Sequence, residues 1–390
     1  MKKIKQRHIV VLSVSAGAGH VRAAQALCAQ AEKSHPSLKL THIDVMDLVP
    51  GTFRKLYAHS YIKVVEKAPL LWAYLYQRTD ESSGGAGDEL RRAIERMNTR
   101  QLERELEQLQ PDAIVCTHFL PAELLSRRIR KGRPTPPVWV QVTDFDVHGL
   151  WLHAYMDGYF VANEEVAARL VAKGMPLEQV HVTGIPIMPA FNAPPKRNVG
   201  AAEHGLDPQK PTLLMMSGGA GVGDIGSLAA QLAALPHELQ IVALAGRNQA
   251  LLESLQALAQ RHPGRVFPMG FTTTIERIMA CADLAISKPG GLTSAECLAM
   301  NLPMIVVSPI PGQEERNADY LLESGVALKA VDAAALEYKV GMLLEHPDRI
   351  KAMKQRMREI AKPDAAATVL SIVSRSLEPG EKISRGALKK

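Results

Sequence analysis

Two glycine-rich loops, one in each half of the chain, most constrain how this sequence can fold. The first, residues 13–20 (SVSAGAGH), follows the apolar run 9–12, and the second, residues 217–223 (SGGAGVG), follows the apolar run 212–216. A glycine loop between a strand and a helix leaves the first backbone N–H groups of the helix open to an anion. Because the arrangement occurs twice, the sequence predicts two Rossmann-like domains that bind different ligands.

Apolar strand-like runs alternate with helical patterns along the chain, which predicts an α/β fold with parallel sheets and crossover helices. The predicted strands are residues 9–12, 38–45, 113–116, 138–142, 158–161, 180–183, 212–216, 240–245, 266–269, 284–286 and 303–307. The predicted helices include residues 21–33, 91–109, 164–173, 225–234, 250–260 and 292–300.

The expected domains are residues 1–190 and 211–377, joined by a linker over 191–210. A chain of 390 residues is too long for one ordinary domain. Four prolines between 186 and 195 precede the basic run 196–198, which is typical of an interdomain segment. We expect that the last helix of the second domain can pack back on the first, and that the polar residues 378–390 form a disordered tail.

Composition indicates a globular protein of a reducing compartment. The four cysteines are scattered without a CxxC pair, which argues against a zinc site or a disulfide framework. No apolar run approaches the roughly 18 residues that span a bilayer, and the N-terminus enters a strand without the apolar core of a signal peptide. The net charge of +6 permits an anionic partner such as a nucleotide, a membrane surface or nucleic acid, without choosing among them.

Residues 52–78 combine aromatic and basic side chains in a chain that is only 5% aromatic. The segment contains Phe53, Arg54, Lys55, Tyr57, Tyr61, Lys63, Lys67, Trp72, Tyr74, Tyr76 and Arg78. Such residues around an apolar stripe are typical of a helix that lies in a membrane interface. An amphipathic helix packed on its own domain is the alternative. No nucleic-acid motif accompanies the segment, so we expect no nucleic-acid partner.

Four ordered motifs carry a resemblance to a known family. They are residues 15–20 (SAGAGH), 142–148 (VTDFDVH) with Trp151 and His153, 182–187 (VTGIPI), and 288–291 (KPGG) through 311–318 (PGQEERNA). With these motifs, the chain resembles the diacylglycerol glycosyltransferases of glycosyltransferase family 28, which include the processive diacylglycerol glucosyltransferases and the monogalactosyldiacylglycerol synthases. The resemblance covers about residues 9–373. The first motif departs slightly, because alanine interrupts the three consecutive glycines that the family usually has before the histidine.

The resemblance implies a GT-B fold, in which two Rossmann-like domains face a cleft, together with a UDP-sugar donor and inversion at the anomeric carbon. Glycines of the second loop and of KPGG would approach the diphosphate, and Glu296 would bridge the two ribose hydroxyls. Phe271 would cap the uracil or ribose unless it is a core residue, and Arg247 would add positive charge unless it only lies on the surface. The expected donor-binding residues are Gly218, Gly219, Gly221, Arg247, Phe271, Gly290, Gly291, Thr293, Glu296, Gln313, Glu314 and Asn317.

On the acceptor side, we expect Gly17, Gly19, Asp144 and His148 to shape the site around His20. Inverting transfer needs a base for the acceptor hydroxyl, and histidine titrates in the appropriate range. Alternatively, His20 binds a headgroup or only shapes the loop. The Asp144-x-Asp146 pair could suggest a metal site, but two helix N-termini would already offset the diphosphate charge. We therefore expect no metal and no cofactor.

The predicted function is transfer of glucose or galactose from UDP-glucose or UDP-galactose to diacylglycerol, at the cytoplasmic face of the cell membrane. The product would be a β-glycosyldiacylglycerol, and addition of further sugars is possible. The membrane contacts would come from Arg54, Lys55, Tyr61, Lys63, Lys67, Trp72 and Tyr76 on an anionic surface. The alternatives are transfer of N-acetylglucosamine to an undecaprenyl-linked acceptor, a UDP-sugar epimerase, and a UDP-sugar-binding sensor.

Overall fold

The structure is a computed structural model that describes residues 6–15, 17–49, 100–216 and 224–378. The chain divides into two compact units. The first comprises the described residues within Met1–Pro189, Pro311–Gln313 and Lys362–Lys390, and the second comprises those within Ala190–Ile310 and Glu314–Ala361. Each unit contains one parallel six-stranded sheet with helices between its strands.

The first unit has the strand order β2-β1-β3-β4-β5-β6, and every neighbouring pair is parallel. Its strands are β1 (Arg7–Ser13), β2 (Leu38–Asp44), β3 (Ala113–Cys116), β4 (Val138–Gln141), β5 (Gly158–Val161) and β6 (Val180–Val182). The helices between them are α1 (Ala18–Ser34), α2 (Arg100–Leu109), α3 (Phe119–Arg130) and α4 (Glu164–Ala172). Successive residues from Ile9 to Leu12 are buried, which shows that both faces of the sheet are covered.

The second unit has the strand order β12-β11-β10-β7-β8-β9, again entirely parallel. Its strands are β7 (Thr212–Met216), β8 (Gln240–Leu244), β9 (Val266–Met269), β10 (Leu284–Ser287), β11 (Met304–Val307) and β12 (Ala327–Ala330). The helices are α5 (Arg197–Glu203), α6 (Ile225–Ala233), α7 (Gln249–Arg261), α8 (Ile275–Met279), α9 (Gly291–Ala299), α10 (Gln313–Glu323), α11 (Ala333–Glu345) and α12 (Pro347–Ile360).

The C-terminal helix α13 (Ala365–Ser376) completes the first unit. Its apolar face, which includes Val369 and Leu370, is buried in one core cluster with Ile9 and Val11 of β1. Arg7 also donates a hydrogen bond to the carbonyl of Leu377. The first unit is therefore discontinuous in sequence, and its core needs the end of the chain.

The segment 191–210, expected to be a linker, contains ordered structure that belongs to the second unit. Helix α5 begins at Arg197, whose guanidinium contacts both carboxylate oxygens of Asp283 at 2.9 Å. Gly200 packs against α8 so closely that a Cβ atom there would lie 2.6 Å from the carbonyl oxygen of Arg277. These contacts fix the segment on the second unit.

Two further elements, α1 and β12, differ from the sequence-based expectations, and one expected helix is described only in part. Helix α1 begins at Ala18, so His20 lies in its first turn and does not end a loop. Strand β12, with only four residues, was not predicted. Of the helix expected over 91–109, the structure describes Arg100–Leu109.

Each sheet contains one point where the chain reverses its direction of strand addition. In the first unit, β2 lies on one side of β1 and β3 on the other, so the loops after β1 and β3 diverge at the carboxyl edge. In the second unit the same reversal occurs between β7 and β10. Ligands of open α/β sheets bind in the crevice at such a switch point. The topology therefore gives each unit one preferred site.

A substitution at Gly158 can test the packing of the first sheet. A Cβ atom at this position would lie 2.4 Å from Cζ3 of Trp139. We expect Gly158→Ala to lower the free energy of unfolding by about 1–3 kcal/mol through overpacking. Urea unfolding followed by far-UV circular dichroism measures the change. In a Trp139→Leu background the same alanine should have a much smaller effect. An equal effect in both backgrounds would show that the indole is not the source of the strain.

Candidate functional site

His20 lies at the switch point of the first unit. Its Nδ1 atom is 3.0 Å from the carbonyl oxygen of Thr117 and 2.8 Å from Oγ1 of Thr143. His20 lies in the helix that follows β1, Thr117 follows β3, and Thr143 follows β4. The three residues therefore come from the ends of three neighbouring strands. The Thr117 hydroxyl in turn donates to the backbone carbonyl of His20 at 2.9 Å. The imidazole is therefore held both at its ring and at its backbone.

The surroundings of His20 keep the ring neutral. Desolvation lowers its pKa from 6.5 to about 4, against the opposing effect of the hydrogen bond with Thr117. At neutral pH the imidazole carries no charge and has one nitrogen able to accept a proton. This is the protonation state that a general base requires.

Aromatic rings surround His20. The ring of His118 lies 4.5 Å from it in an edge-to-face arrangement, and the indole of Trp151 lies 6.2 Å away. Phe119 contacts both of these neighbours, with ring centroids 4.1 Å from His118 and 5.9 Å from Trp151. The cluster therefore places a largely aromatic surface beside the imidazole of His20.

His118 combines a structural role with its place in this cluster. Its Nδ1 accepts a hydrogen bond from the backbone N–H of Leu120 at 3.0 Å, which caps the N-terminus of α3. Burial lowers the pKa of His118 well below its ordinary value, and the neighbouring His20 and His153 lower it further. Protonation of Nδ1 would break this cap, because the new N–H of His118 and the backbone N–H of Leu120 are both donors and would repel each other.

A buried polar cluster supports the segment that carries Trp151. Nδ1 of His153 contacts Oε2 of Glu123 at 2.9 Å, and the other carboxylate oxygen accepts from Nε of Arg127 at 2.7 Å. Burial alone would raise the pKa of Glu123, but His153 and Arg127 together lower it to about 2. The phenol of Tyr159 accepts from the backbone N–H of His153 and donates to its carbonyl. His153, two residues after Trp151, is thus held by hydrogen bonds to both its side chain and its backbone.

Asp144, Asp146 and His148 are all buried and hydrogen bonded. Both oxygens of Asp144 accept from Nε2 of Gln313 at 2.7 Å, within the first unit. Asp146 accepts from Arg169, and His148 accepts from the backbone N–H of Leu150. Among the described residues, no group of three or more His, Cys, Asp or Glu side chains is placed to hold a metal ion.

The second unit brings the KPGG loop to its own switch point. The loop follows β10, and helix α9 begins at Gly291 with Gly290 as its N-cap. No side chain caps this terminus in the part of the chain that the structure describes, so its first N–H groups can serve an anion. Thr293 lies in the first turn of α9. Glu296 lies one turn further along and is only 8% exposed, so it is not a solvated helix residue.

The motif PGQEERNA lies at the start of α10. The carboxylate of Glu314 accepts from the backbone N–H of Ile310 at 2.7 Å, and a Cβ atom on Gly290 would lie 4.0 Å from its other oxygen. The structure therefore places Glu314 beside the N-terminus of α9. Asn317 is fully buried, whereas Gln313 belongs to the first unit and binds Asp144.

Phe271 and Arg247 form a pair at the edge of the second sheet. The guanidinium of Arg247 lies 4.6 Å from the centroid of the Phe271 ring. Phe271 is 54% exposed, so it is not a core phenylalanine. An exposed ring with a cation on one face can stack with a planar base on the other.

Several predicted site residues lie outside the described residues. They are Gly218, Gly219 and Gly221 of the second loop and the membrane-segment residues Arg54, Lys55, Tyr61, Lys63, Lys67, Trp72 and Tyr76. Gly17 and Gly19 are described, and both are at the start of α1 next to His20. In the described ranges, every helix is too short or too polar to cross a bilayer.

Sequence reasoning missed three residues that contact His20, namely Thr117, His118 and Thr143. All three lie within two residues of the end of β3 or β4, strands that were predicted correctly, and the ends of parallel neighbours meet at one edge. The sequence alone did not give the strand order, so it could not show that β1, β3 and β4 are adjacent.

The low pKa of His118 makes the folded protein sensitive to acid. Above pH 6.5 the histidine is neutral whether folded or unfolded, and below it only the unfolded chain takes up the proton. Stability therefore falls as the pH drops through 6.5. The control is His118→Asn, which keeps a capping oxygen but does not titrate. When the pH is lowered from 7.5 to 5.5, the free energy of unfolding measured in urea should fall by about 1.4 kcal/mol more for the parent than for this variant. Equal losses would contradict the assignment.

Comparison with known proteins places the two units in related families. The family model for monogalactosyldiacylglycerol (MGDG) synthase matches residues 20–187, and the glycosyltransferase family 28 C-terminal domain matches residues 212–369. A processive diacylglycerol beta-glucosyltransferase of Bacillus pumilus (strain SAFR-032) is 28% identical over 93% of this chain and 94% of its own. An enzyme of the same name from Bacillus cereus (strain AH187) is 28% identical over 95% of this chain and 94% of its own.

Solved structures with the same architecture have low sequence identity and therefore indicate the fold alone. MurG of Acinetobacter baumannii matches with a TM-score of 0.59 and 17% identity, over 95% of this chain and 99% of that chain. The S. aureus MnaA–UDP co-structure matches with a TM-score of 0.64 and 13% identity, over 98% of this chain and 100% of that chain. The two parallel sheets with these neighbours are the two Rossmann-like domains of a GT-B fold. Because the two family models follow one another and together span most of the sequence, the chain belongs to the family of the monogalactosyldiacylglycerol synthases and family 28 glycosyltransferases.

Proposed function

We propose that this protein transfers a hexose from a UDP-sugar to the free hydroxyl of diacylglycerol, with inversion at the anomeric carbon. The acceptor oxygen forms a bond to the anomeric carbon as the bond to the β-phosphate oxygen breaks, and that electron pair leaves with UDP. The acceptor proton passes to Nε2 of His20. The relatives' name, processive diacylglycerol beta-glucosyltransferase, supports this acceptor and favours glucose as the sugar.

The observation that carries the proposal is the environment of His20. One ring nitrogen is engaged by Thr117 and Thr143, and desolvation keeps the imidazole neutral at physiological pH. The aromatic wall of His118, Phe119 and Trp151 can exclude water, which would otherwise compete with the lipid hydroxyl for the activated sugar. A neutral base in an apolar pocket suits an uncharged alcohol.

The second unit would hold the donor without a metal ion. The uncapped N-terminus of α9 would face the diphosphate, the buried Glu296 would accept from the ribose hydroxyls, and the exposed Phe271 would stack on the base. Glu314 and Asn317 would recognise hydroxyls of the sugar, with Gln313. The glycines Gly218, Gly219 and Gly221 would approach the phosphate oxygens from the loop after β7.

Access to a lipid acceptor requires contact with a membrane, and we assign that contact to residues 52–78. Its Lys and Arg side chains would bind anionic headgroups while Trp72 and Tyr76 enter the interface. The enzyme would then be a peripheral protein of the cytoplasmic membrane face. It would take diacylglycerol directly from the bilayer.

The decisive experiment is thin-layer analysis of the lipids formed from labelled UDP-glucose, UDP-galactose and UDP-N-acetylglucosamine. Each donor is tested with diacylglycerol liposomes, with an undecaprenyl-linked acceptor and without lipid. We expect glycosyldiacylglycerol in the presence of EDTA. Transfer only to the polyprenyl acceptor would contradict the proposal, as would an activity that needs added manganese or no lipid. UDP-sugar binding without any product would identify a sensor.

Two substitutions should separate chemistry from donor binding. His20→Ala should reduce turnover on the order of a hundredfold, the usual scale for loss of a general base, while UDP affinity stays unchanged. Glu296→Ala should weaken UDP binding by about 1–3 kcal/mol, because the ribose hydroxyls lose their acceptor. Glu276→Ala is the matched control, since Glu276 is equally buried at 8% exposure and lies outside the site. Calorimetry that finds the same UDP affinity for Glu296→Ala and its control would refute the ribose assignment.

The membrane segment makes a separate prediction. Replacing Trp72 and Tyr76 with serine should lower liposome flotation and leave UDP binding intact, whereas Tyr338→Ser, which removes an exposed aromatic ring elsewhere, should change neither. Loss of Lys63 and Lys67 should matter most with anionic lipids and fade at high salt, because surface attraction is screened within about 8 Å at physiological ionic strength. Unchanged flotation of the Trp72/Tyr76 variant would mean that residues 52–78 only pack on their own domain.

A further inference from the structure

Two threonines at the carboxyl edge of the first sheet hold the ring of His20. The carbonyl oxygen of Thr117 lies 3.0 Å from Nδ1, and the hydroxyl oxygen of Thr143 lies 2.8 Å from the same atom. Both threonines are buried. No carboxylate takes part in these contacts, although histidine bases are commonly oriented by one.

Chemistry decides which ring nitrogen carries the proton. A carbonyl oxygen can only accept a hydrogen bond, so at 3.0 Å it requires Nδ1 to be the protonated nitrogen. The Thr143 hydroxyl, which can donate or accept, must then serve as a second acceptor for the same N–H. In the opposite tautomer the Thr143 hydroxyl would donate to Nδ1, and the lone pairs of Nδ1 and the Thr117 carbonyl would repel each other.

We propose that Thr143 is a positioning residue for the transfer reaction. Together with the Thr117 carbonyl it holds His20 in the Nδ1–H tautomer, so that Nε2 is the base, and it stabilises the imidazolium that forms when Nε2 takes the acceptor proton. This inference rests on the proposed function for its catalytic consequence, whereas the tautomer and the hydrogen bond are properties of the protein alone.

The need for such stabilisation follows from the desolvation of the ring. Burial disfavours the charged imidazolium, and the ring of His118, the titratable group that faces His20, is itself held neutral mainly by burial. Within the described part of the chain, the ring of His20 makes no contact with a carboxylate that could offset this positive charge. The two oxygen acceptors on Nδ1–H therefore supply the polar stabilisation available to the imidazolium, since hydrogen bonds to charged groups are the stronger kind.

A matched control for Thr143 exists on the same sheet edge. Thr183 directly follows β6, is 4% exposed like Thr143, and uses its hydroxyl to donate to the carbonyl of Gly184 without touching His20. Valine has nearly the shape of threonine and removes only the hydroxyl. Comparing Thr143→Val with Thr183→Val therefore separates the contact with His20 from the general effect of losing a buried hydroxyl at this edge.

The test is nitrogen-15 NMR of the full-length protein labelled at histidine, with His20 assigned from the spectrum of His20→Gln. At pH 7 the parent should show His20 as the Nδ1–H tautomer, with a ring proton that exchanges slowly with water. Thr143→Val should shift this proton resonance and speed its exchange. Thr143→Ser should restore both, and Thr183→Val should leave both unchanged. An Nε2–H tautomer in the parent, or a His20 resonance unaffected by Thr143→Val, would overturn the proposal.

Turnover of the same variants measures the consequence for catalysis. Thr143→Val should lower kcat about tenfold to a hundredfold with the KM for the UDP-sugar unchanged, and Thr143→Ser should recover most of the rate. A normal kcat in Thr143→Val, beside an inactive His20→Gln, would also overturn the proposal. If the parent transfers no sugar to any acceptor, the proposed function fails, and the NMR result still decides whether Thr143 positions His20.

Discussion

Parallel strand pairing is the constraint on which the rest of this molecule depends. Each pair of neighbouring parallel strands needs a crossover, and the crossovers cover both faces of both sheets. Side chains with chemistry therefore collect at the carboxyl edges, where the loops emerge, and the reversals at β1/β3 and β7/β10 open one crevice in each unit. His20 and the KPGG loop lie at these two positions. The sites thus follow from the order of the strands before any side chain is considered.

The same burial that stabilises the first unit determines the chemistry of its site. Desolvation lowers the pKa of His20 to about 4, which makes the imidazole neutral but also a weaker base than an exposed histidine. A base of this kind works when the positive charge that it acquires is stabilised by acceptors on its other nitrogen and when water is kept away. The Thr117 and Thr143 oxygens meet the first condition, and the aromatic rings of His118, Phe119 and Trp151 meet the second.

Much of the fold could be predicted from the sequence because buried parallel strands are continuous apolar runs. Eleven of the strands were predicted, most of them from such runs and β2 (LKLTHID) from alternation, but β12 (ALKA) carries a lysine in four residues and has no comparable signal. The site was only partly predictable. His20 and Glu296 follow from local motifs, whereas Thr117, His118 and Thr143 become neighbours of the site only through strand order. Arg197 similarly joins the second unit through Asp283, which lies far away in sequence.

The charge around His20 bears on which lipid acceptor the site suits. An undecaprenyl-linked acceptor brings a diphosphate, and such a group calls for arginine, lysine or open helix N–H groups close to its oxygens. The groups in contact with the His20 ring are instead two threonine oxygens, a neutral histidine and an indole. Arg127 and Arg169, basic residues of the first unit, are already paired with Glu123 and Asp146. A neutral alcohol needs none of these charges, because under the proposed function its proton would go to His20 and its chains would rest on aromatic rings. The side chains in contact with the His20 ring therefore suit a neutral hydroxyl, whereas the uncapped N-terminus of α1 beside them is the one group of the described site that suits an anion.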